Sequence, residues 1–118
     1  MGSKETSMSF TELVESLRKV KHEQTRADQE NYFEVVVTKN IIEPIVSMLQ
    51  SYFGSPMKPE GKDPSKTAER CAEPYGGIWR NQIMYMHTVE QGVEAALLWP
   101  WNDGNSITVK LIRDDGSW

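Results

Sequence analysis

The hydrophobic pattern of the chain changes period twice. Phe10, Leu13, Val14, Leu17 and Val20 step by three and four, the spacing that lines one face of an amphipathic helix. Ser9 and Glu12 precede them as S-x-x-E, a capping box in which each side chain satisfies a free backbone N–H. Over 21–31 the apolar face thins to Ala27 and no residue breaks a helix. The pattern therefore predicts a helix that runs on past its apolar stripe, into solvent or against a partner. Tyr32–Thr38, YFEVVVT, favours a strand, because branched side chains lose rotamer freedom in a helix. A helix is its rival, since Phe33, Val36 and Val37 would then share a face.

A second helix opens at Asn40, with Glu43 three residues on and Pro44 in the first turn, where its missing N–H breaks no bond. Ile42, Ile45, Val46, Leu49, Tyr52 and Phe53 form its stripe, Gly54 ends it and Pro56 blocks continuation. Residues 54–77 then concentrate glycine and proline into a long loop, functional or mobile. Within it Asp63-Pro64 can start a short helix carrying Ala68, Cys71 and Ala72, ended by Pro74.

From residue 78 the period becomes two. Residues 78–88, 93–101 and 105–112 read as three strands, joined by a loose turn at Glu90-Gln91-Gly92 and a tight one at Asn102-Asp103-Gly104. The middle one, Ala95-Ala96-Leu97-Leu98-Trp99, is apolar on both sides. It is predicted at the sheet centre, its outer face covered by the loop, the first helix or another subunit. The order is α-β-α-loop-β-β-β. This is an α+β fold with two helices on an antiparallel sheet of three or four strands, built on a C-terminal meander. Residues 9–118 form one domain, preceded by a disordered start or expression remnant at 1–8. The start also fits the loose M-G-x-x-x-[ST] acylation pattern.

Composition narrows the chemistry. The 118 residues carry 13 basic and 17 acidic side chains, a net charge of −4, which argues against nucleic acid as a partner. The basic cluster Arg18, Lys19, Lys21, His22 and Arg26 lies among glutamates and reads as a solvated helix face. No apolar run reaches the length of a membrane span, and one cysteine forms no internal disulfide. A cytoplasmic, reducing compartment is the default expectation, with no cofactor and no metal.

The aromatic residues are the most informative candidates. On alternating strands Trp79, Tyr85 and His87 point one way, and Trp99 and Trp101 share a face of the adjacent strand. If the register joins those faces, they form a wall that either packs a core or lines a pocket for a small apolar or aromatic ligand. Arg80 adds a cation for an anionic group. His87 beside a carboxylate such as Glu90 has the makings of a general base, but no nucleophile motif accompanies it. Cys71 beside Arg70 reads as a packing residue. Tyr75-Gly76-Gly77-Ile78 lacks the strand-before, helix-after context of a phosphate loop. The favoured function is a non-enzymatic binding or assembly module, contacting another protein or a second copy of itself. The alternative is a small-ligand domain, either a binder or an enzyme whose reaction the sequence does not name, with the aromatic pocket between the sheet and the 54–77 loop.

Overall fold

A computed structural model describes residues 9–90 and 92–115. The expectation for 1–8 lies outside these residues. The fold is α+β, with five antiparallel strands and three α-helices. Helix α1 spans Phe10–Lys19, strand β1 Gln24–Gln29, β2 Tyr32–Thr38, α2 Ile42–Phe53 and α3 Lys66–Ala72. The meander follows as β3 Ile83–Val89, β4 Gly92–Pro100 and β5 Ser106–Asp114. Spatial order in the sheet is β1-β2-β5-β4-β3.

The capping box at Ser9 and Glu12 is formed, with Glu12 N 3.1 Å from Ser9 Oγ and Ser9 N 2.9 Å from Glu12 Oε1. The first helix does not continue to residue 31. It ends at Lys19, and Val20 turns extended at φ −71°, ψ 141°. Residues 24–29 instead form an edge strand hairpinned to β2, which raises the strand count to five. Arg18 fastens the turn-back by a two-pronged contact with Asp28, at 2.6 and 3.0 Å. Tertiary pairing overrides local preference here, because QTRADQ has no apolar face of either period. The valine run is a strand, and Val35, Val36 and Val37 are all buried.

The sheet is covered on both faces, as expected for its doubly apolar strand, and of the three expected covers it is the 54–77 loop that lies on the outer face. On one side α1 and α2 bring Leu13, Leu17, Ile45 and Leu49 against Val35, Val109 and Leu111. On the other, α3 lays Ala68, Cys71 and Ala72 over Met84, Ala95 and Leu97. Strand β4 is apolar on both faces for this reason, and the 54–77 segment supplies the outer cover. The middle strand is β5, with β4 beside it. Ser65 caps α3, its hydroxyl accepting from Ala68 N at 3.1 Å. The segment is further tied to the sheet edge by Lys58, whose backbone pairs with Met84 at 3.0 and 3.1 Å. Its buried ammonium donates to the carbonyls of Pro59, Arg80 and Gln82 at 3.1, 2.7 and 2.5 Å. Burial lowers the pKa of this lysine.

Candidate functional site

The predicted aromatic wall divides between the two faces of the sheet. Cross-strand partners share a face, and Tyr85 pairs with Ala96 while His87 pairs with Glu94. Trp99 is an odd number of residues from both partners, so it stands on the opposite side, with Met84 and Leu97. Trp79 belongs to no strand. Strand β3 begins at Ile83, because residues 79–82 close a turn: Gln82 Oε1 accepts from Trp79 N at 2.9 Å and Gln82 N donates to Trp79 O at 3.1 Å. Arg80 is exposed on that turn and reaches Asp63 at 3.4 Å.

On the helix side, Tyr85 is buried against Phe53, with ring centroids 6.0 Å apart. His87 lies half-buried between Tyr52 and Phe53, its Nε2 2.9 Å from Glu94 Oε1. The carboxylate beside His87 is thus Glu94 and not Glu90. Glu94 is buried, accepts a hydrogen bond from the Tyr52 hydroxyl, and has Arg113 Nε 3.9 Å away. Burial and that bond hold the Tyr52 phenol well above its ordinary pKa. The cluster satisfies a buried carboxylate. It holds no nucleophile: Cys71 is on the far face, and burial pushes its thiol up to about 11. Among the described residues, no group of three or more His, Cys, Asp or Glu is placed to hold a metal ion.

On the α3 side, Trp79 meets Trp99 edge to face, with centroids 6.1 Å apart and planes at 87°. The Lys110 ammonium sits 3.2 Å from the Trp99 ring centre and donates to Tyr75 O at 2.6 Å. Burial lowers the Lys110 pKa, against the raising effect of the nearby Glu34 charge. Tyr75 stacks on Tyr32 at 5.3 Å and donates to Asp114 at 2.9 Å. Two consecutive glycines make the indole pair fit. Gly76 and Gly77 take φ of +106° and +89°, and a Cβ would come within 2.4 Å of Trp99 and 2.8 Å of Trp79, respectively. Trp101, two residues beyond Trp99, is anchored by Nε1 donating to Thr108 Oγ1 at 2.8 Å.

Trp79 is nevertheless 56% exposed, the most exposed of the large hydrophobic side chains described. It borders a groove of about 800 Å³ on the outer side of α3, walled by Lys66, Glu69, Arg70, Glu73 and the two glycines. Between α3 and the sheet, where a pocket was expected, the described side chains pack closely. That interval is filled by Ala68, Cys71, Met84 and Leu97, each without exposed surface. Sequence reading missed Glu94, Tyr52 and this groove. The first follows from the β3–β4 register, which pairs Val89 with Gly92 and so His87 with Glu94. Comparisons with protein families, with curated proteins and with solved structures find no match for the chain.

Proposed function

We propose that this chain is a non-enzymatic protein-binding or assembly module, and that its contact surface is the outer face of α3 with Trp79 at its border. The observation that carries the reading is an indole more than half exposed yet held in one place by Trp99, Gly77 and the Gln82 turn. Large aromatic anchors that are immobile before contact lose little freedom on binding, and such residues dominate protein interfaces. Other contact surfaces are less suited. Strand β1 is an edge carrying Arg26 and Asp28 and interrupted by a bulge between Thr25 and Ala27, devices that discourage strand addition. The opposite edge, β3, is partly covered by Lys58. No helix among the described residues is long and apolar enough to cross a membrane. A free buried thiol at Cys71 fits a reducing, cytoplasmic setting.

The reading is tested by placing a photoreactive aromatic residue at position 79 and, as a control, at Glu43, exposed on α2 of the other layer. Irradiation of the purified chain, and of an extract of cells expressing it, is expected to give a discrete adduct from position 79 only. Adducts of equal yield from both positions, or none from 79, overturn it.

A further inference from the structure

The groove carries four charged side chains whose order has a consequence. Lys66, Glu69, Arg70 and Glu73 are all exposed, and at 100° per residue they fall within one 100° arc of the helix. The opposite arc holds the buried Ala68, Cys71 and Ala72. Glu73 continues the helical backbone, at φ −51°, ψ −48°. Within the helix this order is mixed: Lys66 with Glu69 and Arg70 with Glu73 are opposite charges three residues apart. Lys66 and Arg70 are like charges four residues apart, and so are Glu69 and Glu73. Among the described residues none of the four makes an ion pair.

Across a two-fold axis the same order becomes fully complementary. An antiparallel copy of α3 centred between residues 69 and 70 sets Lys66 against Glu73 and Glu69 against Arg70, and each pair occurs twice. Every cation then meets an anion. This self-complementarity is the requirement for an isologous interface. Trp79 borders the same groove and supplies the apolar part, while Ile78 beside it is buried.

We infer that the partner of this face is a second copy of the chain, docked through antiparallel α3 helices about a two-fold axis, with Trp79 of each copy inside the contact. The inference rests on the contact-surface reading above and names its partner. A two-turn helix offers a small area, so the association belongs to the weak, micromolar class of interfaces.

The test uses sedimentation of the purified full chain across the micromolar range, at low and high salt. A monomer–dimer equilibrium is expected, weakening as salt rises toward 1 M, where the screening length falls to about 3 Å. Two charge-swapped chains are then compared, K66E/R70E and E69K/E73K. Each alone is expected to dimerise roughly 100-fold more weakly or worse, since like charges then face each other. An equimolar mixture is expected to regain dimer as a heterodimer. The mixture also guards against a folding artefact, because a misfolded chain would not be rescued. A wild-type chain that stays monomeric, swaps that dimerise like wild type, or a mixture that stays monomeric overturns the inference. If the purified chain is monomeric while position 79 cross-links to a different protein in extract, the second-copy inference fails and the contact-surface reading survives.

Discussion

Gly76→Ala is the sharpest probe of how the indole pair is built. Two separable penalties arise. The first is backbone strain, because φ is +106° and an L-residue in the left-handed region loses about 1–2 kcal/mol. The second is steric. The new Cβ would lie 2.4 Å from the Trp99 indole and 3.0 Å from Lys110 Nζ. Trp99 is hemmed in by Trp79 and the Lys110 ammonium, so it must repack, at about 1–3 kcal/mol by analogy with overpacked cores. The sum is about 2–5 kcal/mol, a large fraction of the roughly 5–15 kcal/mol that holds a typical domain folded. Gly104→Ala isolates the first penalty, since Gly104 has φ +70° and nothing within 4 Å of its hypothetical Cβ. Urea unfolding followed by far-UV circular dichroism gives both free energies on one scale. Gly76→Ala is expected to exceed Gly104→Ala by at least about 1 kcal/mol. Equal losses would mean that Trp99 yields freely, and the description of the indole pair as a fixed unit would have to be dropped.

Other perturbations address the rest of the molecule. Lys58→Met removes the donor shared by three carbonyls and should destabilise the chain by about 1–3 kcal/mol while opening the 54–77 segment to limited proteolysis. Unchanged cleavage would show that the segment is held by α3 alone. Glu94→Ala strands the Tyr52 hydroxyl and His87 and should lose about 1–3 kcal/mol in urea melts, with Glu94→Gln losing less; a loss under about 0.5 kcal/mol for both is the contrary result. Cys71 should contribute a loss of stability as pH rises from 9 to 11, opposed by Lys58 and Lys110, whose lowered pKa values add stability as pH rises toward 10.5. The unfolded thiol of Cys71 ionises from its ordinary value of 9.0 while the folded one stays protonated to about 11, so the unfolded state binds fewer protons across that window. Tyr75 deepens the loss between 10 and 12, because burial and its bond to Asp114 raise it to about 12. Cys71→Ala should make the slope of urea midpoint against pH less negative between pH 9 and 10; an unaltered slope there would assign the loss to other groups.

The legible parts of the fold were those where an apolar period and a turn signal agreed. Strand β5 alternates cleanly, and Asp103-Gly104 closes its hairpin, with Asp103 accepting from Asn105 N and Ser106 N at 2.8 and 2.9 Å. The short helix α3 was legible from the spacing of Ala68, Cys71 and Ala72, although its cap is Ser65 and not the expected Asp63-Pro64 start. Strand β1 was not, because both its faces are polar and its two-residue turn at Glu30-Asn31 contains no glycine. Among the described residues only glycines take positive φ, so that turn lacked the usual hairpin marker. Trp79 was misplaced because a side chain, Gln82, closes a turn inside what alternation reads as strand. The split of the aromatic wall was legible in principle. A turn that pairs residue 88 with 93 also pairs 85 with 96, which puts Trp99 on the other face.

Local rules are kept across most of this chain and broken together in one stretch. Alpha1 has its capping box, α2 its glycine stop and β1 its protective charges. Between residues 58 and 79 the pattern reverses. A lysine is buried with carbonyls as its bonded partners, and a tryptophan lies open to water. Against this stretch, the buried Trp99 Nε1 has no hydrogen-bond partner among the described residues. The buried ammonium, the open indole and the unpaired indole N–H each oppose folding, and sequences that fold well tend to keep such conflicts where function requires them. Their concentration on the face that also carries self-complementary charge is what separates a contact surface from an ordinary exposed helix. Scattered over the fold, the same departures would argue for nothing more than imperfect packing.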